Sequence, residues 1–226
     1  MPVRDKHAPL QVERVYEAIK TRVIYGHYRP GHPMSESVLA RVLHASRTPV
    51  REALSRLGEE GYVQRIPRRG YRVAPLTRST IAQVFQVRRL LEIEGAALAA
   101  QYATDEMIQA MQESSAYPEF GDGEESYHER LRANERFHLA VAQGSGNQFL
   151  VDLVRQCLLH HSRVLSLAME RPILPDTPTQ HQLIVDAIRR RDPQAARTIM
   201  CQHLEDADRL VMQAADSKRI RGMMDS

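Results

Sequence analysis

The first quarter of the chain has apolar residues spaced three or four apart, which is the period of a helix. One such stripe predicts a helix over residues 10–25, which ends where Gly26 opens a turn-rich segment. Two short helices are predicted next, over 36–43 and 47–57, and the break between them is three residues long. Two short helices joined by so tight a turn form a helix-turn-helix, whose second helix can lie in the major groove of DNA.

The second of these two helices keeps its basic residues away from its apolar face. Arg47 and Thr48 lie at its N-terminal end, just after the predicted N-cap Ser46, and Arg51 follows Arg47 by one turn. In a helix-turn-helix this end of the helix meets the base edges, and arginine makes forked contacts with guanine and with phosphate. We therefore predict that Arg47, Thr48 and Arg51 bind DNA.

An alternation of apolar and polar residues over 62–66 and 71–74 predicts two short strands after the helices. The turn between the strands is basic and contains Arg68, Arg69 and Gly70. A β-hairpin with such a turn is the wing of a winged helix-turn-helix. Because its arginines can reach backbone phosphates or the minor groove, we predict that this turn also contacts DNA.

The remainder of the chain shows helical periodicity and no strand pattern. Its six predicted helices span 81–102, 105–114, 124–142, 148–169, 178–190 and 193–214. The short joints favour an antiparallel α-helical bundle, whose first helix has Thr77 or Ser79 as its N-cap. The chain is thus predicted to be mainly α, with a winged helix-turn-helix domain over 1–77 and a helical domain over 78–226.

The charged residues divide along the same boundary. Residues 1–77 carry 14 Lys and Arg against 7 Asp and Glu, a net charge of +7, whereas residues 78–226 carry 17 against 21, a net charge of −4. This division favours nucleic-acid binding by the first domain alone. No apolar run reaches the roughly 18 residues of a membrane span, and the two cysteines are too few for a disulfide framework. We expect a cytoplasmic protein that binds no membrane.

Histidines of the helical domain indicate a metal site. Asn134 and His138 are four residues apart on one predicted helix, so their side chains point the same way. His181 and His203 lie on two further helices, and residues from three inward-facing helices can meet at one point. One oxygen and three nitrogen ligands suit Zn²⁺ or Ni²⁺ better than Mg²⁺ or Ca²⁺. Taken alone, however, this spacing more often marks a hydrogen-bonded or exposed Asn–His pair than a pair of metal ligands.

Three stretches of the first domain resemble the N-terminal domain of the GntR family of bacterial transcriptional regulators. They are residues 36–40, 46–54 and 60–62, of which 46–54 reads Ser-Arg-Thr-Pro-Val-Arg-Glu-Ala-Leu without a break. The resemblance implies that Arg47, Thr48 and Arg51 contact DNA. In many members of the family an arginine that contacts DNA stands where this chain has Ser37. We keep Ser37 as a candidate phosphate contact through its hydroxyl.

The helical domain resembles the effector-binding FCD domain of the FadR subgroup of GntR regulators. The resemblance rests on 87–92, 96–100, 134–138, His181 and 200–204, and it covers nearly all of residues 79–214. It implies that Asn134, His138, His181 and His203 bind a divalent metal ion, with Zn²⁺ or Ni²⁺ expected. Since the first ligand is asparagine rather than aspartate, the protein ligands bring no charge to the metal.

One arginine of this domain matches an effector-contacting arginine of the family. The residue is Arg88, which could clamp a carboxylate in a forked geometry. Its position on a predicted helix also fits a salt bridge to Glu92 one turn on.

Together these predictions describe a homodimeric, ligand-responsive transcriptional regulator that is not an enzyme. A small organic acid would bind at the metal and Arg88, and would shift two DNA-binding domains relative to the half-sites of a palindromic operator. One alternative is a metal-dependent hydrolase with an accessory nucleic-acid-binding domain, for which Glu135 is a poorly placed general base. A second alternative makes the metal structural, with a neutral ligand or the metal itself as effector.

Overall fold

The structure is a computed structural model that describes residues 8–116, 124–168 and 177–215. The chain divides into two compact units, one that runs up to Leu76 and one that begins at Thr77. The domain limits inferred from the sequence stay a prediction.

The first unit contains three helices and a small antiparallel sheet among its described residues, which confirms the predicted winged helix-turn-helix. Its elements are α1 (Ala8–Ile24), β1 (Pro33–Met34), α2 (Glu36–Val42), α3 (Arg47–Glu59), β2 (Val63–Ile66) and β3 (Gly70–Val73). The strand order is β1-β3-β2, so the wing is a three-stranded sheet rather than a hairpin alone. The additional strand, β1, has two residues and is too short to show the alternation that reveals a strand in a sequence.

An apolar core holds the elements of the first unit together. α3 packs against α1, α2 and β2. The buried side chains of this core come from one face of each helix and from the strands, and include Val15, Ile19, Val23, Leu39, Val50, Leu54, Leu57, Val63 and Val73. Because α3 uses its apolar face for this packing, its polar face remains open to solvent.

The second unit is helical throughout its described residues, as predicted for an α-helical bundle. Its elements are α4 (Arg78–Tyr102), α5 (Asp105–Ser115), α6 (Glu124–Gly144), α7 (Gln148–Ala168), α8 (Thr177–Arg189) and α9 (Pro193–Ala215). Every predicted helix of this domain is present, although the predicted end of the fourth, at residue 169, lies outside the described residues. α4 packs against α6, α7, α8 and α9. None of the helices described is both long and apolar enough to cross a bilayer.

Small residues allow the helices of the second unit to approach one another closely. Ala96, Ala99 and Ala100 of α4 are buried in a core cluster shared with α5, α6, α8 and α9. At the end of α6, a Cβ added to Gly144 would lie 3.0 Å from the Cβ of Ala99, which is closer than ordinary contact. The close packing brings the inner face of α6 against α4, the helix that carries Arg88.

Side chains cap several helices of the second unit, α4 and α5 among them. Thr77 Oγ1 accepts a hydrogen bond from the Thr80 backbone N–H at 3.1 Å, and Thr104 Oγ1 accepts one from the Met107 N–H at 3.3 Å. Thr77 is therefore the cap of α4, one of the two residues that the sequence left open. Ser46 lies at the N-cap of α3 with an extended backbone but makes no side-chain capping hydrogen bond. The predicted N-cap position of Ser46 is confirmed, without a capping hydrogen bond from its side chain.

Candidate DNA-binding surface and metal centre

The polar face of α3 presents the predicted base-reading residues to solvent. Arg47, Thr48 and Arg51 are exposed, and the side chains of the two arginines are 66% and 61% accessible. On the opposite face of the helix, Val50 and Leu54 are fully buried. The helical period thus separates the residues that build the core from those that can meet a ligand. The structure brings the three predicted residues together on one open surface.

A glutamate on α2 pairs with both arginines of this surface. Glu36 Oε2 lies 3.4 Å from Arg47 Nη2 and 3.3 Å from Arg51 Nη2, and Glu36 Oε1 accepts a hydrogen bond from Arg51 Nε at 3.3 Å. The hydrogen bond from Arg51 is the main reason why the pKa of Glu36 is lowered. The carboxylate therefore stays ionised and holds the two guanidinium groups side by side. Sequence spacing does not reveal this contact, because it joins two helices.

The turn between β2 and β3 exposes the three predicted wing residues, Arg68, Arg69 and Gly70. The Arg69 N–H donates to the Ile66 carbonyl at 3.0 Å and closes the turn. Arg68 and Gly70 have φ angles of 64° and 88°, a conformation that glycine adopts without strain. The two guanidinium groups therefore lie at the tip of a tight, exposed turn.

Ser37 is exposed in the first turn of α2. Its Oγ lies 3.0 Å from Ser35 Oγ, and either hydroxyl can be the donor. The structure thus places the residue at the surface, where a hydroxyl can reach a phosphate.

Three buried histidines converge in the helical unit: His138 on α6, His181 on α8 and His203 on α9. His203 Nε2 lies 3.2 Å from His138 Nε2 and 3.3 Å from His181 Nε2. Two nitrogens bound tetrahedrally to one Zn²⁺ at about 2.05 Å lie about 3.3 Å apart. These two distances therefore fit a metal ion of this size, and the possible ligand atoms of all three histidines lie within 4.8 Å of one another.

The outer nitrogens of two of these histidines face oxygen acceptors. His203 Nδ1 lies 2.8 Å from Gln180 Oε1, and Gln180 Nε2 donates to Asp206 Oδ2 at 2.9 Å, which fixes the orientation of the amide. His138 Nδ1 lies 2.5 Å from Glu92 Oε2. An imidazole that donates from Nδ1 carries a lone pair on Nε2, which is the form that binds a metal. Two lone pairs then face each other across 3.2 Å, a repulsion that a cation relieves.

Burial keeps the three imidazoles neutral. It lowers the pKa of His138, against the opposing charge of Glu92, and lowers the pKa of His181 and His203 well below the ordinary value. Burial would raise the pKa of Glu92, but the charges of Arg88 and His138 outweigh it and hold this pKa well below its usual range. The cluster thus combines neutral histidines, as a metal ligand set requires, with one ionised carboxylate behind them.

Arg88 lies in the interior of the bundle rather than at its surface. Its Nε donates to Glu92 Oε1 at 2.6 Å, and the two side chains are 1% and 2% accessible. The salt bridge that the sequence left open is therefore present, and it is buried. Arg88 Nη1 is buried too and has no hydrogen-bond partner. A buried donor without a partner is unfavourable by about 1–3 kcal/mol, so this atom is suited to receive a ligand oxygen.

Asn134 is buried on α6, one turn before His138, so the two residues share a face as their spacing predicts. The neighbouring Glu135, the candidate base of the hydrolase alternative, accepts a hydrogen bond from Ser162 of α7. Burial raises the pKa of Glu135. Its carboxylate is thus engaged in a contact between two helices.

The sequence interpretation missed Gln180 and Asp206, the residues that orient His203. Gln180 directly precedes His181, and Asp206 follows His203 by three residues. Both could have been identified from the sequence, because each is a hydrogen-bonding residue within one helical turn of a candidate ligand. Glu92 was considered as a partner of Arg88 only, and its contact with His138 depends on how α4 packs against α6.

The architecture of both units and the exposed arginines of α3 define the class of the protein, a DNA-binding transcriptional regulator. Family comparison agrees with this class. The FCD domain matches residues 83–206, and the domain of the bacterial regulatory proteins of the gntR family matches residues 11–73. The chain belongs to the GntR family of regulators and carries an FCD domain, consistent with the FadR subgroup.

Individual relatives are regulators as well. The Nta operon transcriptional regulator of Aminobacter aminovorans is 36% identical over 129 residues, which are 57% of this chain and 61% of that protein. The transcriptional repressor GlaR of Escherichia coli is 27% identical over 209 residues, with 88% of this chain and 94% of GlaR covered.

Solved structures share the fold. Escherichia coli McbR/YncC has a TM-score of 0.73 at 22% identity, over 91% of this chain and 99% of that one. A GntR regulator from Rhodococcus sp. RHA1 has a TM-score of 0.74 at 23% identity, over 90% of this chain and 98% of that one. At such low sequence identities, these structures show that the fold is shared but do not indicate which ligand this protein binds.

Proposed function

We propose that the helical unit is a sensor that binds a divalent metal ion and a small carboxylate effector, and that the effector changes the affinity of the winged helix-turn-helix for its operator. The observation that carries the proposal is that three buried, neutral histidines meet in the bundle, with His203 Nε2 3.2 Å from His138 Nε2 and 3.3 Å from His181 Nε2. Two of them have Nδ1 close to an oxygen, of Gln180 for His203 and of Glu92 for His138, which favours the tautomer that binds a metal.

The metal ligands in this proposal are Asn134, His138, His181 and His203, which favour Zn²⁺ or Ni²⁺. All four are neutral, so the bound cation keeps its charge and attracts an anion. When bound, the metal supplies a Lewis-acidic position for a carboxylate oxygen. Arg88 supports the same assignment, because its unpartnered Nη1 can donate to a second oxygen of the effector.

The DNA contacts in this proposal divide into two kinds. Arg47, Thr48 and Arg51 read base edges in the major groove, while Ser37 and the wing residues 68–70 contact the backbone or the minor groove. We expect a homodimer on a palindromic operator in the cytoplasm, since a two-fold dimer matches two half-sites. Effector binding then acts by favouring one arrangement of the dimer over the other.

The first test is the metal itself. Mass spectrometry of metals in the purified protein is expected to show one Zn²⁺ or Ni²⁺ per chain in the wild type and less than a tenth of that in His181→Ala. If both proteins carry the same amount, the histidine cluster is not the metal site.

Removal of the metal by a chelator distinguishes a structural ion from a sensory one. If the ion is structural, the metal-free bundle is expected to unfold, and if it is sensory, the metal-free bundle is expected to stay folded.

The second test is the response to acids. An operator selected from random duplexes is titrated with metal-loaded protein, with and without mono- and dicarboxylic acids, and the Kd is read by fluorescence anisotropy. We expect at least one acid to change the Kd about fivefold or more, a typical coupling. Arg88→Lys keeps the ion pair with Glu92 but removes the fork, and it is expected to weaken the response. If no acid changes the Kd of the wild type, the sensor is not a carboxylate sensor.

A further inference from the structure

The strands of the wing carry an arginine and a tyrosine that are not among the predicted DNA contacts. Arg65 on β2 and Tyr71 on β3 are direct partners in the antiparallel register, so their side chains lie on the same face of the sheet. Val63 and Val73 share this face and are buried in the core. Arg65 is exposed and Tyr71 half-buried. The pair therefore lies between the core and the exposed turn of the wing.

The ring of Tyr71 lies against the face of α3 that carries Arg51. Gly58 is seven residues after Arg51, about two helical turns, and so lies on the same face. A Cβ added to Gly58 would lie 3.9 Å from Tyr71 Cε1, which is an ordinary contact distance. The pKa of Arg51 is raised chiefly by its hydrogen bond to Glu36 and to a lesser extent by Tyr71, so the phenol is within electrostatic reach of the guanidinium. Tyr71 thus joins the wing to the proposed base-reading face of α3.

The polar groups of this pair are open to a ligand. In the part of the chain that the structure describes, neither the Tyr71 hydroxyl nor the Arg65 guanidinium takes part in a hydrogen bond or an ion pair. Arg72, the next residue of β3, projects from the opposite face of the sheet and donates to Gln64. The two strands therefore pair one arginine within the sheet and leave the other open beside Tyr71.

We propose that Arg65 and Tyr71 together bind one phosphate of the operator, on the DNA strand that passes between α3 and the wing. The inference rests on the proposed function, in which α3 lies in the major groove and the wing reaches the backbone or the minor groove. Neighbouring major and minor grooves of B-DNA are separated by one sugar–phosphate backbone. Side chains between α3 and the turn of the wing therefore face that backbone rather than base edges.

The chemistry of the two side chains suits a phosphate. A guanidinium only donates and is always charged, and a phenol hydroxyl can donate one further hydrogen bond to a second phosphate oxygen. The packing of the Tyr71 ring on α3 fixes where that hydroxyl lies relative to Arg51. A phosphate held there would set the position of α3 in the groove, which is the usual role of backbone contacts.

Two substitutions in the full-length protein test the proposal. An operator selected from random duplexes, and a random duplex, are titrated by fluorescence anisotropy over a range of salt concentrations. Tyr71→Phe removes only the hydroxyl and is expected to raise the Kd about five- to tenfold on both duplexes, with the slope of log Kd against log salt unchanged. Arg65→Gln is expected to reduce that slope by about one, because one phosphate contact fewer releases counterions.

Matched variants separate a phosphate contact from damage to the fold. Arg72→Gln makes the same change of charge on the opposite face of the sheet and is expected to leave the slope as in the wild type. Tyr102→Phe removes a hydroxyl from an exposed tyrosine of the helical unit and is expected to leave the Kd unchanged. All four variants are expected to melt with the wild type when followed by circular dichroism.

Operators with single phosphates replaced by uncharged methylphosphonates locate the contact. One replacement on the strand between the two grooves is expected to weaken binding of Tyr71→Phe and Arg65→Gln about threefold less than binding of the wild type, because each variant has already lost part of that contact. Equal losses in wild type and variants at every phosphate, or a loss in Tyr71→Phe that is confined to the operator, would overturn the assignment. If the wild type selects no operator at all, the proposed function itself fails, and this inference with it.

Discussion

His138 and His203 can bind a metal only through nitrogens that carry no proton, and their surroundings favour that form. The Nδ1 atoms face Glu92 and the Gln180 amide oxygen. The proton of each neutral ring is therefore drawn to Nδ1, and both Nε2 lone pairs point at their neighbours. These neighbouring oxygens, rather than the number of histidines, make the cluster suited to a metal ion.

His203→Ala is expected to abolish the stabilisation of the protein by added Zn²⁺. A ligand present at 100 times its Kd stabilises the folded state by about 2.7 kcal/mol, which raises the Tm of a chain of this length by roughly 5–10 °C. Calorimetric scans with and without Zn²⁺ measure the rise. His128→Ala is the control, because His128 is buried on α6 but outside the cluster. An equal rise in His203→Ala and wild type would show that the metal binds elsewhere.

Glu36→Gln is expected to reduce the discrimination between operator and random DNA about three- to tenfold. The substitution frees Arg47 and Arg51 from the carboxylate that holds them together, so their orientation toward bases loosens, while loss of a negative charge favours contact with any phosphate. Anisotropy titrations of both duplexes at one salt concentration give the ratio. Glu52→Gln, the same charge change at an exposed position of α3, is the control. Identical ratios in the two variants would show that Glu36 acts by charge alone.

At the scale of the element, successive segments of α4 have different structural roles. It begins at a threonine cap, presents Phe85, Arg88 and Glu92 to the interior in its middle, and packs by small alanines in its second half. This order explains why α4 contacts four other helices of the bundle. The polar residues lie where the ligand site is proposed, and the alanines lie where close approach is needed.

Thr77→Ala is expected to destabilise the helical unit by about 1 kcal/mol, since it removes the side-chain acceptor of the Thr80 N–H. Ser46→Ala at the start of α3 is the matched comparison. Ser46 makes no capping hydrogen bond, so its replacement is expected to change the free energy of unfolding much less. Urea unfolding followed by circular dichroism measures both. A loss at residue 46 as large as that at residue 77 would mean that the serine caps α3 in solution.

The helices could be predicted from the sequence because their causes are local. Apolar period, proline and glycine act within a few residues, and the six helices of the second unit were predicted with bounds that differ by three residues or fewer from those observed. The histidine cluster could be predicted from spacing and resemblance together. Glu36, Glu92 and Tyr71 could not, because their roles depend on which helices and strands pack together.

At the scale of the whole molecule, acid is expected to destabilise the metal-free protein. His161, His181 and His203 have folded-state pKa values well below the unfolded value of about 6.5, so the unfolded chain binds more protons in acid. The contribution of these histidines to the free energy of unfolding is therefore constant at higher pH and falls as the pH drops below about 6.5. Between pH 7.5 and 5.5 the expected loss is about 1 kcal/mol for each of the three histidines.

The His161→Phe variant measures the contribution of one histidine, His161, to this loss of stability in acid. Glu135, whose pKa burial raises, acts in the opposite sense, because its contribution to stability is lost as the pH rises through its folded-state pKa. Urea unfolding of wild type and variant at a series of pH values removes this common background. The variant is expected to lose about 1 kcal/mol less than the wild type between pH 7.5 and 5.5. Parallel curves would show that His161 is protonated equally in both states.

The buried chain of Arg88, Glu92 and His138 determines what the proposed sensor can report. Glu92 Oε1 accepts from Arg88 Nε, and Oε2 lies beside both Arg88 Nη2 and His138 Nδ1, so an acid on Arg88 and an ion on His138 would act on the same carboxylate. Two ligands that are coupled in this way change each other's affinity by the same factor, whichever binds first. In the proposed sensor, the concentration of acid needed to change operator binding would therefore depend on how much metal the cell supplies.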